Sequence, residues 1–162
     1  MPVINAMEAG GSNRCAFLDT IASSEIGASM LALTDNGYNV LVGSTPGNLL
    51  TFPSYVAHPN ILNAKFDSTA AGRYQELHMN AVNYTKSLKL ADFGPLSQDK
   101  IALEQIKECG ALAHIDAGNF AQALALVAHI WASFPGAGYG QHENTVASLQ
   151  AAYVAAGGTL AA

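Results

Sequence analysis

The stretch "NFAQALALVAHIW" places Phe120, Ala123, Leu124, Val127, Ile130 and Trp131 along one helical stripe. A stripe that apolar has to be covered by other elements, which commits the chain to a packed, largely helical core with this helix expected at its centre. Companion patterns lie on both sides. "SNRCAFLDTIASSE" (12–25) opens with Ser12 or Asn13 as candidate N-caps and offers Phe17, Leu18 and Ile21 as a buried face. Tyr74, Leu77, Ala81, Tyr84 and Leu88 keep three- and four-residue spacing, so helix is expected from residue 68 onward. "DFGP" breaks that helix, Ser97 stands ready to cap the next one through Cys109, and Gly110 stops it. A final helix carries Val146, Leu149 and Tyr153 and ends at Gly157 and Gly158.

The region after Thr34 reads differently. Tyr38, Val40 and Val42 alternate between Gly37 and Gly43, which predicts a short strand, with "TFPSYVA" (51–57) as its partner. The expected fold class is therefore α+β: a mainly helical lobe, a small β-hairpin lobe and a cleft between them. With 162 residues, no internal repeat and no low-complexity linker, the chain reads as a single domain, 1–162, in which 1–11 is a flexible N-terminal segment.

Composition narrows the function. Half the residues are apolar, yet no uninterrupted run approaches the roughly 20 needed to span a bilayer. "MPVINAMEAGGSNR" lacks the basic stretch, apolar core and cleavage site of a secretory signal, so a soluble protein is expected. A net charge of -5 and a pI near 5.4 argue against nucleic acid, whose phosphates demand clustered Lys and Arg. Cys15 and Cys109 are too few for a disulfide scaffold and lack metal-ligand spacing; free, half-buried thiols are expected. Five scattered histidines form no HExxH, and neither a metal nor an organic cofactor is implied. Cys109 makes a poor nucleophile, since a helix C-terminus raises a thiol's pKa and nothing orients His114. "GAGYG" follows a helix, which excludes a dinucleotide fingerprint.

Glu25 stands apart among the twelve acidic residues. It ends a helix, where the negative end of the dipole disfavours its charged form, and it follows Ser23 and Ser24, which are able to hydrogen-bond it. A carboxyl of raised pKa beside a cleft is what protonating a glycosidic oxygen requires, while a solvated helix-end glutamate is the other reading of the same position. Hydrolysis of a glycoside usually enlists a second carboxylate, about 6.5–9.5 Å away for inversion or about 5 Å for retention. Asp35 and Asp67 are the candidates, although Asp35 before Asn36 and Gly37, and Asp67 beside Ser68 and Thr69, read more simply as turn residues.

Taken in order, "AFLDTIASSE" (16–25), "GYNVLVG" (37–43), "HP" (58–59), "STAAGRYQ" (68–75), "FGPLSQDKIALEQIKECGAL" (93–112), "IWASFPGAGYGQ" (130–141) and "AAGGT" (155–159) resemble the lambda-type endolysin family of lytic transglycosylases. The resemblance covers nearly the whole chain, apart from 26–36 and 44–66. It implies a lysozyme-like α+β fold and a phage enzyme of host-cell lysis that cleaves the β-1,4 bond between N-acetylmuramic acid and N-acetylglucosamine in peptidoglycan. In that family the cleavage is not hydrolytic: the muramyl C6 hydroxyl attacks its own C1 and leaves a 1,6-anhydro end. Glu25 matches the family's catalytic glutamate, which donates a proton to the leaving oxygen and then takes one from the C6 hydroxyl. An intramolecular nucleophile removes the need for a second carboxylate. Ser23, Ile26 and Ala57 depart from the family pattern, standing where relatives carry tryptophan, glycine and aspartate.

The resemblance also implies substrate-binding positions at Tyr38, Ser68, Thr69, Tyr74, Gln75, Tyr139 and Gln141. In "STAAGRYQ", Ser68 or Thr69 caps a helix beside the cleft and Gly72 permits close chain approach, while Tyr74 and Gln75 either face sugar or, respectively, belong to the core and tie the two lobes together. Tyr139 and Gln141 fall on a cleft-edge loop, and Trp131 is expected in the core. Peptidoglycan glycan strands are the implied partner of a monomer that stays in the host cytoplasm until a holin releases it to the periplasmic wall.

Overall fold

The computed structural model describes residues 1–138 and 143–162. Its helices, among the described residues, are α1 (Ala6–Ala9), α2 (Ser12–Glu25), α3 (Ala28–Leu33), α4 (His78–Ser87), α5 (Pro95–Glu108), α6 (Leu112–Asp116), α7 (Phe120–Val127) and α8 (Val146–Ala155). No helix among them is long and apolar enough to cross a membrane. The chain divides into two compact units, one of Met1–Glu25 with Ala102–Ala162 and the other of Ile26–Ile101, the second boundary falling inside α5.

In the first unit α2 takes the central place that the apolar stripe suggested for α7: it packs against α1, α6 and α8. Phe17, Leu18 and Ile21 are fully buried on its face, each worth roughly 1.5–3 kcal/mol of burial. Phe17 meets Phe120 of α7 edge-on at 5.8 Å and Tyr153 of α8 at 6.4 Å, and Phe120 and Tyr153 lie 4.8 Å apart, so three helices close on one aromatic triangle. Gly158 is required there, because a Cβ would sit 2.5 Å from the Tyr153 ring. Leu149 and Tyr153 are buried, whereas Val146 at the start of α8 is exposed.

Asn13 is no cap. Its amide donates to the carbonyls of Ile115 and Thr159 and its oxygen accepts from the Thr159 N–H and hydroxyl, which ties the C-terminal segment onto α2. Arg14 adds a bidentate pair to Asp116 of α6 at 2.8 and 2.6 Å. Within the segment 1–11, Asn5 caps α1 through the Glu8 N–H, and Ile4 and Ala9 are buried.

In the second unit the expected strand pairing is reduced to isolated antiparallel bridges, Val40 with Thr51 and Leu41 with Ala71. Helix does not begin at residue 68 either. Gly72 and Gln75 take left-handed conformations, φ 82° and 50°, and fold 71–76 back on itself through an Ala71–Glu76 bridge. Tyr74 and Leu77 therefore lie outside α4, whose first amide, that of His78, is satisfied by the Thr69 hydroxyl at 3.2 Å. Pro95 opens α5 as a first-turn proline, and Ser97 sits inside that helix donating to Asp92 Oδ1. Gly110, at φ 72°, does stop α5. The apolar centre of this unit is Phe52, Ala71, Ala81, Phe93 and Ile101.

A buried polar knot sits beside that centre. Gln98 accepts the Arg73 N–H at 2.9 Å and donates to the carbonyls of Tyr38 and Phe93 at 3.0 and 2.9 Å, so its amide is fixed from three sides. A Cβ on Gly72 would lie 2.3 Å from Gln98 Oε1, at a φ that L side chains rarely adopt. Gly72→Ala is expected to cost about 2–4 kcal/mol and to lower Tm by roughly 10 °C. A thermal melt within about 3 °C of wild type would contradict this account of the turn.

Candidate active site

Glu25 is the last residue of α2, so its backbone is set by the helix while its side chain reaches the segment after α7. Its Oε1 accepts the Ser133 hydroxyl at 2.6 Å and the Ser133 N–H at 3.4 Å. Trp131 and Phe134, buried and 5.8 Å apart, anchor the chain on either side of Ser133. Burial raises the carboxyl above its ordinary pKa, and the two Ser133 hydrogen bonds pull against that rise without cancelling it. The direction expected from the sequence is met, but the main cause is desolvation.

Neither adjacent serine bonds Glu25 in the way the sequence suggested. Ser24 Oγ lies 2.6 Å from Ser133 Oγ, and Asn144 Nδ2 lies 2.9 Å from Ser24 Oγ, so Ser24 acts one step removed. The backbone of Asn144 also bonds the Ser133 carbonyl, at 2.8 Å. Ser133 and Asn144 went unnoticed in the sequence because they stand 108 and 119 residues from Glu25 in chain order, with no local pattern linking them. Ser133 does lie inside the "IWAS" stretch, which is the only hint the chain offers.

Several expected sugar contacts are placed elsewhere. Tyr38 and Tyr74 are 1% and 3% exposed, and both hydroxyls donate to Asp99 Oδ1, at 2.8 and 2.6 Å. The Arg73 guanidinium lies over both rings, 5.3 and 5.9 Å from their centroids. Both tyrosines are core groups of the second unit: Tyr74 takes the core alternative, and Tyr38 departs from its expected substrate-binding position. Ser68 Oγ accepts the Ala70 N–H, Thr69 Oγ1 accepts the His78 N–H, and the Gln75 amide donates to the Gly72 carbonyl; all three are half-buried. Tyr139 and Gln141 lie outside the described residues.

Asp35 and Asp67 occupy turns. Asp35 is exposed and accepts the Tyr55 hydroxyl, while Asp67 is exposed at φ 46° beside the Asn63–Ser68 bridge. Neither cysteine forms a disulfide, and both are half-buried. Burial, then the neighbouring Glu108 charge, raises the Cys109 thiol, opposite to what a nucleophile needs.

A family model described as Endolysin matches residues 15–160. The endolysin of Escherichia phage lambda is 49% identical over 92% of this chain and 94% of its own length, and that of Escherichia phage P2 is 42% identical over 98% of each. Among solved structures, bacteriophage lambda lysozyme complexed with a chitohexasaccharide superposes with a TM-score of 0.84 at 45% identity, covering 99% of both chains. A second structure of lysozyme from bacteriophage lambda gives 0.79 with the same identity and coverage. These likenesses assign a lysozyme-like, mostly helical fold, and the matched span takes in Glu25, Ser133 and Asn144 together. The chain belongs to the endolysin family.

Proposed function

We propose that this protein is a phage endolysin that cleaves the β-1,4 bond between N-acetylmuramic acid and N-acetylglucosamine in peptidoglycan without consuming water. The observation that carries the reading is the Glu25 carboxyl, desolvated at a helix end and bonded by Ser133 on one oxygen. A carboxyl whose neutral form is favoured serves as general acid toward the glycosidic oxygen, and its carboxylate then serves as base. The solved relative that carries a chitohexasaccharide supports a glycan chain as the ligand.

In this reading the proton of Glu25 passes to the leaving oxygen as the C1–O bond breaks. The C6 hydroxyl of the same muramyl residue then bonds to C1 and returns its proton to Glu25. Atoms balance without water, and one carboxyl suffices because the nucleophile is already tethered. The turn settings of Asp35 and Asp67 agree with a single-carboxyl scheme. Residues 1–162 act as a single catalytic domain. Ser68, Thr69 and Gln75 remain the proposed glycan contacts among the described residues, together with Tyr139 and Gln141. Family membership further supports a monomer that accumulates in the host cytoplasm and reaches periplasmic peptidoglycan after a holin acts.

Mass spectrometry of muropeptides released from purified peptidoglycan tests the proposal. Products lighter by one water than muramidase products, ending in 1,6-anhydromuramic acid, are expected. Hydrated reducing ends would replace it with a hydrolytic muramidase, and wall binding with no products at all would make the chain a peptidoglycan binder.

A further inference from the structure

While Glu25 is ionised, the hydroxyls behind it can direct their protons in one order. Asn144 Nδ2 lies 2.9 Å from Ser24 Oγ and 3.5 Å from the carbonyl oxygens of both Ser24 and Ser133. Carbonyls only accept, so this end of the amide is the NH2 and it donates to Ser24. A carboxylate oxygen only accepts, so while Glu25 is ionised Ser133 directs its proton to Oε1 at 2.6 Å, and Ser24, 2.6 Å from Ser133, directs its own proton there. When the carboxyl takes up a proton, a proton on Oε1 would point at Ser133, turn the Ser133 hydroxyl round to Ser24 and displace the Ser24 proton from its acceptor. A proton on Oε2 leaves every bond of the series intact.

We propose that Asn144, Ser24 and Ser133 form a one-way hydrogen-bond series that holds Glu25 Oε1 as an acceptor and makes Oε2 the oxygen that carries the working proton. This rests on the catalytic role proposed for Glu25. The three are positioning residues that act through Glu25. The series also balances the site: burial favours the neutral acid, and the Ser133 donor, itself held in direction by Ser24 and Asn144, keeps the carboxylate form accessible for the second proton transfer.

Among the described residues, the other charged groups on these segments are occupied elsewhere. Asp19 of α2 pairs with the N-terminal ammonium at 3.5 Å, Arg14 with Asp116, and Glu143 accepts the N–H groups of Gly136 and Gly138 at 2.8 and 3.0 Å. A change in Glu25 titration on altering the hydroxyls thus reports the series.

The test is a carboxyl 13C NMR titration of Glu25 in wild type, Ser133→Ala, Ser24→Ala, Asn144→Ala and Ser133→Thr, with thermal melts showing that each variant folds. The Glu25 midpoint is expected to move upward in all three alanine variants, most in Ser133→Ala, and to return toward wild type in Ser133→Thr. The high-pH limb of the activity profile should move up in the same order, and kcat should fall about tenfold in Ser133→Ala for the loss of one orienting bond. In Glu25→Gln, nuclear Overhauser contacts should place the side-chain NH2 away from Ser133, at the Oε2 position. Unchanged titration in Ser24→Ala and Asn144→Ala, or an NH2 facing Ser133, overturns the proposal. If any variant fails to fold, the Glu25→Gln contacts alone decide it. These spectra need no substrate, so they judge the series even if product analysis removes Glu25 from catalysis.

Discussion

Glu25→Gln is expected to abolish cleavage and to leave the protein at least as stable as before. Glutamine keeps an oxygen for the Ser133 hydroxyl and nearly the same volume, so the packing around the end of α2 is preserved. It cannot transfer a proton. General acid–base catalysis by one group contributes about 10²–10⁴-fold, and a residue that serves both half-steps belongs at the upper end of that range. The stability effect has the opposite sign. Because burial raises the folded-state pKa of Glu25 above its unfolded value, the native state holds the proton longer as pH rises. Stability is therefore full below the unfolded carboxyl pKa, declines between the unfolded and the raised folded values, and stays lower above both. Glutamine escapes that decline. Turbidity clearing and thermal melts over a pH series check both halves: the variant should lose activity everywhere and gain Tm relative to wild type only as the pH rises through the carboxyl range. Residual activity above about a tenth of wild type would remove Glu25 from its role, because such a loss is too small for an acid–base group.

What could be read beforehand follows a physical divide. α2 was legible to its boundaries because Phe17, Leu18 and Ile21 declare one face and the run is long enough to form several turns. The short helices α1, α3 and α6 were not, since helices of four to six residues have almost no intrinsic stability and exist by leaning on neighbours. In the turn at 72–75 the helical spacing of Tyr74 and Leu77 was overruled by left-handed backbone at Gly72 and Gln75. Tyr74 could be placed as either core or platform from its type, and only the buried acceptor at Asp99 decides the matter. The same holds at Glu25: position at the end of α2 singles out the carboxyl as a candidate, whereas its hydroxyl partner comes from a segment brought there by the fold.

Asp99→Leu is expected to be the most damaging of the substitutions away from Glu25. Asp99 has no exposed surface, and its Oδ1 accepts from both Tyr38 and Tyr74. The two rings also lie under the Arg73 guanidinium, so a buried cation and a buried anion share the same pair of phenols. Tyr74 shows the consequence, its pKa driven well above the ordinary phenol value by burial first and then by the Asp99 charge. Leucine removes the acceptor and the negative charge together. Two phenol hydroxyls lose their bond and Arg73 remains buried without that charge nearby. Removing a buried charged acceptor in this way costs about 3–5 kcal/mol, against which the added apolar contact of leucine is small. At roughly 2–4 °C per kcal/mol for a chain of this size, Tm should fall by about 10 °C or more. Tyr38→Phe and Tyr74→Phe separate the contributions, each removing one donor and leaving the carboxylate with the other, at about 1–2 kcal/mol. Their double variant should lose less than Asp99→Leu, because it keeps the charge beside Arg73. If the double phenylalanine variant is as unstable as Asp99→Leu, the knot is held by its hydroxyl bonds alone and the pairing of charges adds nothing.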